Sequence, residues 1–453
     1  MKYFNLKPIP NIIVPILLFF ITFAWFSVFA IRGIDPHHDG MMLKPAMDVA
    51  DGKILFRDTF TQYGALTTYL QALALKIFGK YLIVIRSQTV LFYSASVIVL
   101  YFIWKNFLSP TYLVLAYMLF LILPPFYEWT FLPWSSVYAL FFMLLANLCI
   151  IAKIKKEVSQ LEKKSSLFLI LLAGIFSALA FWCRQPCGLV MLIAFGLFYF
   201  ARGIFEPEKR KNHFNDFCRF IFAFVVTCLI FLVDIARNDA LVDWYYQSIR
   251  MLFTFAGNEL SKTPNWWECF FPNSPYVLFP VASMFFLLLS FSKIADKKVT
   301  GNEKAFQAII MITALIALGS WHQYFPVPCK RHFYWAAIPM IGFYAMFMEK
   351  IVSEFFRGSK KIFYVITCLV LLSPFISITV KAVIDIKNSL TDTTRKYWTE
   401  ETPFKYMNVS GGQYLFYKKF LSIVAELSEK YKNKNWLNLT DDAIFSAIVP
   451  SNR

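Results

Sequence analysis

Apolar stretches recur along the whole chain, each bounded by short polar or charged segments. They lie near 9–31, 81–104, 110–124, 133–152, 167–182, 187–201, 219–236, 275–293, 305–319, 333–349 and 362–381. A helix that crosses the hydrocarbon core needs about 20 mainly apolar residues. The pattern therefore predicts an all-α polytopic membrane protein with about eleven transmembrane helices. A β-barrel is excluded, because barrel strands alternate apolar and polar positions. The first run, Asn11 to Ile31, follows Lys2 and Lys7. It is too long for a signal-peptide apolar region and lacks a small-x-small cleavage site, so it is expected to remain as the first span.

Two stretches fall outside this rhythm. Residues 32–80 form a long first loop, within which Leu66 to Phe78 is amphipathic and suits a helix lying in the membrane interface. After Ile384 the chain becomes polar, with Leu415, Phe416, Phe420, Leu421, Val424 and Leu427 at helical spacing over 414–431. A short strand is expected at 436–439 and a helix start at Thr440-Asp441-Asp442. The expected organisation is a transmembrane domain over 1–384 and a small exoplasmic α/β or helical cap over 385–453.

Composition sharpens this. The 453 residues are 58% hydrophobic and only 16% charged, against about 25% charge in a soluble domain. The net charge of +17 would suggest nucleic acid in a soluble protein, but here it lies largely in short inter-span loops. With the N-terminus placed in the cytoplasm, Lys153-Ile154-Lys155-Lys156, Lys209-Arg210-Lys211, 293–304 and 350–361 all become inner loops, as the positive-inside rule requires. No nucleic-acid partner is then needed. The C-terminal tail falls outside, in the setting of a plasma or inner membrane protein. The eight cysteines are scattered in or beside apolar runs and read as small buried hydrophobes.

Candidate chemistry concentrates on the outer side. Asp35-Pro36-His37-His38-Asp39-Gly40 follows the first span. Its carboxylates could act as a general base or, with His37 and His38, hold a divalent metal; Asp, Pro and Gly also simply form turns. Arg184, in Phe181-Trp182-Cys183-Arg184-Gln185, stands at the outer end of a span, where it can snorkel or meet an anion. Lys330-Arg331-His332 could neutralise a phosphate by charge-assisted hydrogen bonds, or anchor the span at the interface together with its aromatic neighbours. The loop 237–274 carries acids and aromatics that suit either sugar binding or an interfacial belt. There is no P-loop, no Rossmann glycine fingerprint and no HExxH. The spans hold few charges, which argues against an ion-coupled carrier.

The order Asp39, Ala46, Gly52, Phe56-Arg57-Asp58, Phe60, Tyr63-Gly64, Phe78-Gly79 and Arg86 resembles the first exoplasmic loop of the GT-C-fold membrane glycosyltransferases, the superfamily of protein mannosyltransferases and lipid A aminoarabinose transferases. Gly40 and Ala65 depart from it, standing where many relatives have Glu and Pro. The resemblance implies a GT-C-like fold and transfer of a sugar, with inversion, from a polyprenyl-phosphate donor to a lipid, glycan or protein acceptor. It implies Asp39 as base, Asp35 as second choice, and Arg184, Lys330, Arg331 and His332 on the donor phosphate. Arg57, Asp58, Tyr63 and His322 would contact acceptor or sugar. Two other readings remain: a carrier or flippase for lipid-linked sugars, and a surface-glycan polymerase or ligase centred on 237–274.

Overall fold

The computed structural model describes residues 12–123, 130–159, 163–262, 277–324, 330–355, 391–431 and 443–448, with isolated positions between 380 and 388. The helices run in chain order as α1 (Ile13–Ala30), α2 (His38–Ala50), α3 (Ala65–Phe78), α4 (Leu82–Trp104), α5 (Pro110–Ile122), α6 (Ser135–Val158), α7 (Lys163–Cys183), α8 (Gln185–Phe205) and α9 (Arg210–Arg237). Then follow α10 (Leu241–Trp244), α11 (Met251–Lys262), α12 (Leu278–Ala295), α13 (Gly301–Ser320), α14 (Lys330–Ala337) and α15 (Ile341–Phe355). The tail holds a two-stranded antiparallel pair, β1 (Lys396–Tyr397) and β2 (Asn408–Val409), then α16 (Gly411–Lys430) and α17 (Ile444–Ile448).

Among the described residues, nine helices are long and apolar enough to cross a membrane. The protein is a multi-pass membrane protein. Each of the nine coincides with an expected span. The span expected at 110–124 is α5, with 13 residues. At 1.5 Å per residue that is about 20 Å, short of a hydrocarbon core of about 30 Å. The span expected at 362–381 lies outside the described residues, as does the strand expected at 436–439.

The outer faces of the helices are apolar. Phe222, Val225, Ile230 and Val233 of α9 are exposed, as are Leu73, Ile77 and Phe78 of α3. Helix α3 meanwhile buries Thr67, Thr68 and Gln71. Apolar side chains outside and hydrogen-bonding ones inside invert the soluble pattern, which is what an apolar solvent selects. Buried Gln71 donates Nε2–H to the carbonyl of Pro133 at 2.9 Å. That bond ties the expected interfacial helix to the entry of α6.

At the end of the bundle that carries the basic loops, buried charges are paired. Lys153 of α6 meets Asp216 of α9 at 2.7 Å, and Arg202 of α8 meets Glu206 at 2.8 Å. Paired ions avoid the cost of an isolated buried charge.

The tail does not stand apart. The Asn408 N–H donates to the Ile31 carbonyl at 2.6 Å, and the Asn408 carbonyl accepts from Gly33 N–H at 2.9 Å. Leu82 N–H donates to Pro403 O, and Ile444 N–H to Pro36 O, both at 2.8 Å. Trp398, Phe404 and Met407 of the tail share a buried cluster with Ile34, Met42, Leu43 and Leu82. Loop one and the tail thus form one body on the membrane bundle.

Gly40 marks the closest approach. A Cβ there would stand 1.9 Å from the Ile444 nitrogen, so the departure from Glu at this position has a packing reason. Gly40→Ala is expected to push the 443–448 segment off α2 and to cost about 1–3 kcal/mol, as overpacking does. Thermal unfolding in detergent and faster proteolysis of the tail would register it; an unchanged midpoint would contradict the close packing.

Candidate active site

A cavity of about 460 Å3 opens at the end of the bundle opposite these paired charges. Its walls come from one set of helix ends: His37 and His38 at the start of α2, Trp134 before α6, Arg184 between α7 and α8, His322 after α13, and His332 and Trp335 on α14. Four of the chain's five histidines line it.

At the start of α2 two carboxylates accept hydrogen bonds from nearby backbone N–H groups. Asp35 Oδ1 accepts from the His38 N–H at 2.7 Å, and Asp39 Oδ2 accepts from the Asp35 N–H at 2.8 Å. Such capping satisfies helix N–H groups that have no intrahelical partner. Asp35 Oδ1 also meets His38 Nδ1 at 2.9 Å. A carboxylate oxygen only accepts, so Nδ1 donates its N–H in this contact.

Asp39 is not among the cavity-lining residues and is fully buried against Arg86 of α4, itself fully buried. Arg86 Nε donates to Asp39 Oδ1 at 3.0 Å and Nη2 donates to Oδ2. Arg86 Nη1 donates to the carbonyls of Ala30 and Arg32, both at 2.9 Å. Burial pushes the Asp39 carboxyl above its ordinary range, against the opposing pull of Arg86.

Opposite α2, the Arg184 guanidinium lies 5.5 Å from the Tyr63 ring centre and 6.0 Å from that of Trp335. These are cation–π distances. Arg184 reaches Tyr63 because Gly64 lets loop one press onto the end of α7: a Cβ at Gly64 would stand 2.0 Å from the Trp182 carbonyl oxygen. The π-helical turn Tyr245–Arg250 holds the same loop from the other side. Ser248 Oγ donates to the Tyr63 carbonyl at 3.1 Å and Gln247 Nε2 to that of Phe56 at 2.7 Å. Phe56 sits there at φ +72°, a strained conformation sustained by its surroundings. Trp134 stacks on Trp335 at 5.5 Å, and Tyr63 packs edge-on against Trp134 at the same distance. His322 Nδ1 donates to Gly319 O at 2.9 Å.

Residues 64–245 match the family of dolichyl-phosphate-mannose-protein mannosyltransferases. Among solved structures, the apo oligosaccharyltransferase of Archaeoglobus fulgidus is similar over 96% of this chain and 63% of that one, at 12% identity and a TM-score of 0.54. Its complex with zinc and sulfate covers 94% and 58%, at 12% identity and a TM-score of 0.52. The archaeal oligosaccharyltransferase AglB of the same organism, bound to an inhibitory peptide and a dolichol-phosphate, covers 81% and 55%, at 13% identity and a TM-score of 0.50. The chain shares the fold of these membrane oligosaccharyltransferases. It spans less than two thirds of the length of these solved relatives. No curated protein matches it in sequence.

The residues singled out from sequence divide three ways. Tyr63, Arg184, His322, His332, His37 and His38 line the cavity. Asp35 stands one hydrogen bond behind it, and Asp39 is engaged with Arg86. Arg57 and Asp58 are not among the lining residues: Arg57 Nε donates to Asp58 Oδ1 at 3.0 Å and Nη1 donates to the Asn238 carbonyl at 3.2 Å, stapling loop one to the end of α9. Arg57 holds the Asp58 carboxyl below its usual range. The side chains of Lys330 and Arg331 lie outside the described residues. No group of three His, Cys, Asp or Glu side chains that could hold a metal ion converges among the described residues, so no step below runs through a metal.

Sequence reasoning gave no role to Arg86, Gln185, Gln323, Trp134 and Trp335. Arg86 carried a usable signal, since a cation inside a span demands a partner. The matched segment 64–245 begins after the Asp35–Gly40 cluster, so it assigns none of those residues a role.

Removing one member of a buried ion pair leaves a stranded charge and costs about 3–5 kcal/mol. Asp39→Asn should therefore lower the unfolding midpoint sharply in detergent. The double variant Asp39→Leu with Arg86→Met should recover much of that loss. Full stability of Asp39→Asn would show that the pair does not hold the fold.

Proposed function

We propose that the chain transfers a glycosyl group from a polyprenyl-phosphate donor to an acceptor hydroxyl or amine on the exoplasmic face of the membrane. The observation that carries this reading is the meeting, in one cavity, of a cation suited to phosphate and a carboxylate-held imidazole suited to proton removal. Arg184 and His38 both line it, with Asp35 behind His38. The dolichol-phosphate in a solved relative supports a donor whose lipid tail stays in the bilayer.

The acceptor oxygen or nitrogen attacks the anomeric carbon of the donor sugar. The bond from that carbon to the phosphate oxygen breaks, and the polyprenyl phosphate leaves with the electron pair. A phosphate needs no general acid to leave. Arg184 offsets the charge on the departing phosphate. His38 Nε2 takes the acceptor proton, and Asp35 steadies the imidazolium through Nδ1. Direct displacement inverts the anomeric centre. Asp39 acts through Arg86 by fixing the start of α2, so the base suggested by sequence spacing becomes a positioning residue.

The test is transfer by purified protein in lipid, with a panel of polyprenyl-phosphate sugars. His38→Gln is expected to lose at least about 100-fold in turnover, the usual contribution of general base catalysis, while keeping the wild-type unfolding midpoint. A carrier of lipid-linked sugars would tolerate that change. No transfer from any donor would sink the transferase reading.

The orientation is tested separately. A cysteine at Lys209 should react with an impermeant thiol reagent only from the cytoplasmic side, and one at Phe60, on the cavity rim, only from outside. Labelling of both from one side would refute it.

A further inference from the structure

The cavity holds two polar side chains that the chemistry above does not use. Gln185 is the first residue of α8 and Gln323 closes the turn after α13. Both line the cavity, and they are only 3% and 4% exposed. Gln185 Nε2 and Gln323 Oε1 are buried with no hydrogen-bond partner among the described residues. Buried carboxamides are ordinarily satisfied, because an unpaired one is costly. Two such groups in one wall therefore point to a ligand that completes them.

The kind of ligand follows from the donor and acceptor inventory. A carboxamide offers both a donor and an acceptor, whereas a phosphate oxygen only accepts. A hydroxyl both donates and accepts, so it suits a pair of neutral amides better than a phosphate does. The phosphate has its cation in Arg184. Gln185 adjoins Arg184 in sequence, so a sugar attached to a phosphate held by Arg184 would present its ring next to that amide.

Resting on the transferase reading, we infer that Gln185 and Gln323 read ring hydroxyls of the transferred sugar and set which sugar is accepted. They are specificity residues and take no part in the proton transfer.

The experiment uses the full chain in lipid and the polyprenyl-phosphate hexose it turns over best, alongside the monodeoxy counterparts of that donor. A site built around a substrate hydroxyl rejects the analogue that lacks it. Wild type should lose roughly tenfold or more in kcat/KM for at least one monodeoxy donor, the usual scale of a lost hydrogen bond to a satisfied site. Gln185→Leu and Gln323→Leu should each weaken the parent donor by a similar factor and stop discriminating at one ring position. Gln185→Met and Gln323→Met, of similar volume, stand in if a leucine variant does not fold. Unchanged kcat/KM for the parent donor in these variants means that the amides hold water alone, and overturns the inference. So does wild-type deoxy discrimination that survives in them. In both cases an active wild type leaves the transferase reading standing. If wild type turns over no donor, both fall together.

Discussion

The buried pair of Arg86 and Asp39 is the constraint on which the rest of the outer structure depends. One guanidinium satisfies a carboxylate and two backbone carbonyls at once. In doing so it joins the exit of α1, the start of α2 and the first turn of α4. Desolvating two charges is expensive, and it is repaid only when the remaining donors and acceptors are also matched. Here the Asp35 N–H and the Ala30 and Arg32 carbonyls complete the match. The start of α2 is held as a rigid platform, and the side chains that project from it acquire fixed positions.

That platform explains how much of the site could be read from the chain alone. Spans follow from apolar length, so most were legible to within a few residues; α5, with 13 residues, is too short to span. The meeting of Arg184 and His322 at one end of the bundle was also legible, because both positions follow from the alternation of spans. The division of labour between Asp35, His38 and Asp39 was not. Four polar side chains among five residues at a helix start carry no periodic signal that says which one faces a cavity. The answer lies in Arg86, which is remote in sequence and captures one of them. Gln185 and Gln323 were illegible for a related reason: a neutral amide at a span end is unremarkable until its partners can be counted.

Close backbone contact does as much as charge to shape the cavity. Gly64 against the Trp182 carbonyl and Gly40 against Ile444 are the two places where loop one meets other parts of the chain with no room for a side chain. The first brings Tyr63 to Arg184; the second presses the tail onto α2. Both lie in the stretch that resembles the loop of related enzymes, and only the second departs from the common pattern.

The hydrogen bond from Ile444 to Pro36 closes a loop around nearly the whole described chain. During synthesis, helices are inserted one after another, and loop one emerges before most of the bundle exists. Its final shape needs contacts supplied by segments made much later. A ribosome-bound chain would thus carry every inserted helix up to α15 and still lack a finished cavity. Long-range closure of this kind is slow to form.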